Sequence, residues 1–127
     1  MAEDKLMMQS LSALLEEGET LKHPVYGSLR QARKSWFGYF GLTDSHLLIS
    51  LLEGNTQKVF WTTRILLDVK EVTVQKRKLL SQLDVRIEFN DGMHCSIHLA
   101  EKVYGIKGQT ENLENFLQTL QDHQAPD

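Results

Sequence analysis

Apolar residues near the start of the chain fall at Met7, Leu11, Leu14 and Leu15, the spacing i, i+4, i+7, i+8. That stripe predicts an amphipathic helix over about residues 4–17, with Gly18 as its C-terminal stop. From Glu19 to about Ala100 the period drops to two. Leu21, His23, Val25, Gly27 and Leu29 alternate with Lys22, Pro24, Tyr26, Ser28 and Arg30 in a first strand. Pro24 lacks the N–H a ladder needs, so this strand is an edge there or is kinked. Residues 36–43 form a second strand rich in aromatics and glycine, and residues 46–53 a third that is almost continuously apolar. Thr43-Asp44-Ser45 is the turn between them. Gly54-Asn55 turns the chain into a fourth strand, 57–62. A parity change between Val69 and Val72 marks a turn or bulge before a fifth strand carrying Val72, Val74 and Lys76. Residues 83–89 and 93–99 are the sixth and seventh strands.

The last hairpin specifies its own register. Leu83, Val85, Ile87 and Phe89 share one face, as do Met93, Cys95, Ile97 and Leu99. A two-residue turn at Asp91-Gly92 pairs Phe89 with His94 and mixes the faces. A three-residue loop, Asn90-Asp91-Gly92, pairs Phe89 with Met93, Ile87 with Cys95 and Val85 with Ile97, with Gly92 left-handed. It also sets Glu88 beside His94 and Asp84 beside His98 on the outer face. The chain then closes with a helix over about 110–122, where Leu113, Phe116, Leu117 and Leu120 make the stripe. Gly108 marks the break before it and Thr110 is the candidate N-cap. The expected architecture is mainly β: a seven-stranded antiparallel sandwich or barrel capped by its C-terminal helix, with an extra N-terminal helix, all in a single domain spanning 1–127.

Composition narrows the function classes. The 127 residues are 41% hydrophobic and 24% charged, an ordinary globular balance. Fourteen Lys/Arg against seventeen Asp/Glu give a net charge of −3, which argues against a nucleic-acid partner recognised over the whole surface. One cysteine, Cys95, excludes an internal disulfide and a Cys-rich zinc site. The acidic N-terminus is unlike a signal peptide, and no apolar run approaches the roughly 18 residues of a membrane span, so the expected location is cytoplasmic or peripheral to the membrane.

The order of elements, with Leu15-Glu16-Glu17-Gly18-Glu19 leading into the first strand and Gly38-Tyr39-Phe40-Gly41-Leu42-Thr43-Asp44-Ser45-His46-Leu47-Leu48 after it, resembles the bacterial PH-like domains of the pleckstrin-homology superfold, with GRAM domains as near neighbours. His46 stands where those domains commonly have a basic residue, often Arg. The Val69-x-x-Val72 step, the Phe89-Asn90-Asp91-Gly92 hairpin and the terminal Phe116-Leu117 pair also fit, so the resemblance runs from Glu16 to Leu120. It implies the fold and says little about function, which lives in sites grafted on folds.

Candidate chemistry is sparse. His94-Cys95-x-x-His98 has metal-ligand letters, but on a strand Cys95 faces away from both histidines, and those lie roughly 13 Å apart. Asp44-Ser45-His46 has triad letters, yet adjacent residues rarely converge as nucleophile, base and orienter, and there is no nucleophile elbow. No phosphate loop, HExxH or paired-carboxylate motif is present. No catalytic residue, metal or cofactor is therefore expected.

Two basic clusters remain. Arg30, Arg33 and Lys34 precede Trp36-Phe37 in the link between the first two strands, and Lys76-Arg77-Lys78 follow the fifth. In eukaryotic PH domains the first link often carries the residues that grip phosphoinositide head groups, and Arg30-x-x-Arg33-Lys34 loosely matches that pattern. Guanidinium and ammonium groups suit phosphate. Solvated loops that keep the chain soluble, with the aromatics in the core, are the competing reading. The leading functional expectation is a non-catalytic binding module for a protein, a peptide or a membrane surface, using an edge strand or the loops. A peripheral anionic-lipid binder and a self-associating structural domain forming a homodimer are the alternatives.

Overall fold

The computed structural model describes residues 2–54, 56–77 and 81–124. In chain order the elements are α1 (Ala2–Ser12), β1 (Lys22–Gln31), β2 (Lys34–Leu42), β3 (His46–Leu52), β4 (Val59–Leu66), β5 (Val69–Arg77), β6 (Gln82–Phe89), β7 (His94–Ala100) and α2 (Gln109–Asp122). The strands form one open antiparallel sheet among the described residues, in the order β4-β3-β2-β1-β7-β6-β5. The sheet curls so that its two halves face each other. Phe40 and Ile49 from one half, Val85, Ile87 and Ile97 from the other, and Leu113, Phe116 and Leu120 of α2 share one buried cluster. Helix α2 closes one opening of this fold.

Gly27 is where β1 crosses between the halves. It pairs with Gly38 on one side and Leu99 on the other. A Cβ there would lie 2.4 Å from the His98 carbonyl oxygen, so only glycine lets the strands approach this closely.

Several boundaries differ from expectation. The N-terminal helix covers 2–12, not 4–17. Beyond Ser12 the backbone tightens into short turns, and one tertiary and one local side-chain contact take the groups a longer helix would need. Arg64 Nη1 donates to the Leu14 carbonyl (2.9 Å), and the Glu16 N–H donates to Glu19 Oε1 (2.7 Å). Gly18, left-handed at φ 84, sits in that linker rather than at the helix end. The fourth strand starts at Val59 and runs on to Leu66, and the fifth starts at Val69 with its irregularity between Val69 and Glu71. Gly108, not Thr110, caps α2; the Thr110 hydroxyl donates instead to the Glu101 carbonyl (2.6 Å).

β1 is an internal strand of the sheet, and of the two expected readings of Pro24 the kink is the one observed. Pro24 sits in a register shift between Lys22 and Val25, next to His23 at φ 54, on a stretch that β7 does not reach. The exposed edges are β4 and β5. The β6–β7 hairpin has the expected register: Ile87 opposes Cys95, Val85 opposes Ile97, and Gly92 is left-handed at φ 91. The turn between the third and fourth strands includes position 55, outside the described residues.

A second apolar cluster lies on the outer face of the first half-sheet. Met7 and Leu11 of α1 cover Tyr39, Leu48 and Leu52, and Ile106 joins them. This explains why the third strand is apolar on both faces: one face lines the main core and the other lies under α1.

Candidate functional site

The opening not closed by α2 is an open groove of about 850 Å³ between the two half-sheets. Period-two alternation builds it. Leu29 of β1, Ile49 of β3, Trp61 and Ile65 of β4, and Met93 and Cys95 of the last hairpin supply its apolar lining. Arg30 and His94 stand at its rim. Two hairpins frame it. In the β1–β2 hairpin Gln31 pairs with Lys34, so Ala32 and Arg33 form a two-residue turn in which Ala32 takes φ 57. The β6–β7 turn is locked by its own polar groups. The Met93 N–H donates to Asp91 Oδ1 (2.9 Å), and Asn90 Nδ2 donates to Asp68 Oδ1 (2.6 Å), tying the hairpin to the corner between β4 and β5.

The five described residues of the two basic runs lie on two elements, the first hairpin and β5, and Arg30 and Arg77 line one shared surface concavity. Arg30, Arg33 and Lys34 are exposed on the first hairpin, with no ion pair among the described residues. Lys76 and Arg77 are already engaged: Lys76 Nζ lies 3.3 Å from Glu101 Oε1, and Arg77 Nε donates to Asp84 Oδ2 at 2.6 Å. Lys78 lies outside the described residues. Arg30 opposes Ser96 across the ladder and so shares the outer face of the second half-sheet with Arg86, which opposes Ser96 on the other side. That pairing was visible only once the strand order was known.

The other sequence candidates are accounted for by geometry. Cys95 is buried in the core, and burial pushes its thiol up to about 12, so it is neither a thiolate nucleophile nor a ready soft-metal ligand near neutral pH. His98 contributes to a half-buried cluster on the outer face, with Nδ1 2.5 Å from Asp84 Oδ1. Burial works to raise the Asp84 carboxyl, but the hydrogen bonds from Arg77 and His98 overcome it and the group is lowered. Glu88 opposes His94 as expected but pairs with Arg86 at 3.4 Å. At the Asp44-Ser45-His46 turn, Ser45 Oγ is 2.7 Å from His46 Nδ1, and Glu19 Oε2 approaches the same nitrogen at 3.9 Å. A triad needs the serine and the acid on opposite ring nitrogens, so this is not one. Asp44 pairs instead with Lys22.

Two structural residues escaped the sequence reading. Arg64 makes a bidentate pair with Glu19 (2.6 and 2.9 Å) and reaches Glu16 at 3.2 Å. That fork and the Glu16 N–H hold the Glu19 carboxyl at about 2. Gln109 is a buried polar side chain that completes the β1–β7 ladder where β7 stops. Its Oε1 accepts from the Tyr26 N–H (3.0 Å), and its Nε2 donates to the Tyr26 and Ala100 carbonyls (2.9 and 3.0 Å).

No protein-family model matches the chain, and no curated protein matches its sequence. Solved structures do match its shape. The hSac2 domain from human phosphoinositide phosphatase Sac2 aligns with a TM-score of 0.63 at 12% identity, over 96% of this chain and 80% of that one. The C-terminal domain of an unknown protein from Leishmania infantum gives 0.62 at 12% identity, over 94% and 98%. The activated truncation of Vav1 gives 0.55 at 11%, and the DH/PH domains of p115-RhoGEF give 0.51 at 13%; each covers 94% of this chain and about a third of the longer neighbour. The fold is pleckstrin-homology-like. At these identities the likeness extends to fold alone. No helix among the described residues is long and apolar enough to cross a membrane.

Proposed function

We propose that the chain is a non-catalytic recognition module of pleckstrin-homology-like fold, acting as one domain over 1–127, that takes a protein or peptide segment at the groove opposite α2. The observation that carries this reading is the juxtaposition of an apolar groove of about 850 Å³ with a hairpin whose three cations have no acidic partner among the described residues. Ligand sites commonly combine such an apolar lining with a few orienting polar groups. An extended segment with apolar side chains and a flanking acidic residue is complementary to both parts. A likeness to the bacterial PH-like and GRAM domains, resting on the sequence motifs, and a cytoplasmic location belong to the same proposal.

Peripheral binding to anionic lipid is the second reading, favoured by the same hairpin. Three cations near an anionic surface supply about 3 kcal/mol, at about 1 kcal/mol each. Engagement of Lys76 by Glu101 and of Arg77 by Asp84 removes two of the charges on which a stronger attraction would rest.

The test is selection of displayed random peptides on the full chain, alongside flotation with phosphatidylserine vesicles at low salt. The expected peptides are apolar and acidic, and they bind at least about tenfold more weakly to Trp61→Ala, a loss of about 1.4 kcal/mol, while Lys76→Ala leaves them unchanged. Peptides indifferent to Trp61 and Arg30 overturn the groove. Flotation that disappears in the triple variant Arg30→Glu, Arg33→Glu, Lys34→Glu, with no peptide selected, moves the function to the membrane surface.

A further inference from the structure

An open sheet has two edges, and this one protects them unequally. The β5 edge carries Lys70, Glu71, Lys76 and Arg77, and its Val72 N–H is taken by Gln124 Oε1 (3.2 Å) beyond the end of α2. Charges and a covering group are the usual means of stopping an edge from pairing. The β4 edge, Val59–Leu66, reads VFWTTRIL: aromatic, β-branched, without proline or lysine. Three of the large apolar side chains exposed on the molecule lie on it, Phe60 (48%), Trp61 (45%) and Leu66 (59%). Its irregularity, between Leu51 and Leu52 of β3, falls at its start and leaves Trp61–Leu66 regular.

We propose that the β4 edge is a self-recognition surface that pairs antiparallel with β4 of a second copy of this chain, centred on Thr63. The register follows from the strand's own pattern. In a two-fold pairing perpendicular to the sheet, residues on one face must meet residues on the same face, so the sum of paired positions is even. Centring on Thr63 sets Trp61 against Ile65 of the second copy, an aromatic–β-branched pair of the kind that stabilises ladders. It sets Thr62 against Arg64, so no like charges stand directly opposite. Arg64 also brings no free charge to the seam, because Glu19 holds it in a bidentate pair. Phe60 falls beside Leu66 of the second copy, so these two exposed residues cover each other while Trp61 covers Ile65. The pairing is isologous and closes at two chains. An extended strand from another protein would meet the same backbone groups, but the sequence pattern favours the second copy because β4 is complementary to itself.

Sedimentation of the full chain over a range of loading concentrations tests this. The expected result is a concentration-dependent species at twice the 14.6 kDa chain mass. The double variant Phe60→Lys, Leu66→Lys returns it to one chain mass with an unchanged circular dichroism spectrum. Neither residue lines the groove, so peptide capture there should persist, and loss of self-pairing is distinguishable from failure of the proposed function. A second measurement reads the register. Thr63→Cys, on the two-fold axis, should form a covalent dimer under oxidised glutathione, and Thr73→Cys on β5 should not. A chain that stays at one mass at every loading overturns the proposal. So does a dimer indifferent to the double variant, or one that cross-links at position 73 and not at 63.

Discussion

At the residue scale, Gln109 does the work of a missing strand. Where β7 ends, one amide side chain supplies both an acceptor and donors to the backbone of β1 and β7. A lost partner at a buried polar group costs about 1–3 kcal/mol. Gln109→Leu should therefore destabilise the chain by about 3 kcal/mol in urea unfolding, because Tyr26 and Ala100 lose partners that an apolar side chain cannot replace. A change below about 0.5 kcal/mol would show that water takes over those bonds. Glu19 makes a pH-dependent contribution. Its carboxyl falls from the ordinary 4.5 to about 2, chiefly through the Arg64 hydrogen bonds and then the Glu16 N–H. A lowered carboxylate stabilises the folded state fully above 4.5 and loses that contribution as pH falls toward 2. The difference in melting temperature between wild type and Glu19→Gln should be widest near neutral pH and close steadily between pH 4.5 and 2. A gap that stays constant over that window would mean Glu19 acts through packing instead.

At the scale of elements, legibility followed from how local each determinant was. The β6–β7 register was readable because parity and turn length over Leu83 to Leu99 admit one solution. The end of α1 was not, because its stripe continues to Leu15 while Arg64, fifty residues on, takes the Leu14 carbonyl. The surroundings of the two basic runs were half readable for the same reason. Arg30, Arg33 and Lys34 sit on one hairpin, but nothing local shows that Glu101 comes beside Lys76. The groove itself was invisible, since Trp61, Leu29 and Cys95 meet only when the sheet curls. Gly27 tests how tightly that curl is set. Its missing Cβ faces the His98 carbonyl, backbone that cannot move aside. Gly27→Ala should cost about 1–3 kcal/mol and perturb amide shifts along β1 and β7 first. Equal stability would mean the crossing has slack.

At the scale of the whole molecule, the chain has two cores of unequal standing. The main one lies between the half-sheets and holds residues from all seven strands and α2, but none from α1. The other lies on the outer face, where α1 covers Tyr39, Leu48 and Leu52. Opening the outer core requires that α1 lift, with Asp4 releasing the Lys107 N–H and Arg64 releasing Leu14 and Glu19; opening the main core breaks the sheet. Native-state hydrogen exchange should therefore resolve two tiers, since cooperative units open with their own free energies. Amides of α1 are expected to exchange through a sub-global opening, while those of β6, β7 and α2 exchange only at the global limit. Leu11, the fully buried residue on the inward side of α1, gives the decisive substitution. Leu11→Ala removes packing worth about 2–5 kcal/mol. It should speed exchange in α1 steeply and leave the difference between β6 and α2 unchanged, whereas Phe116→Ala should lower the global limit for every element together. If α1 amides instead share one free energy with β6 and β7 in the wild type, the two clusters are a single cooperative core and the helix is as integral to the fold as α2.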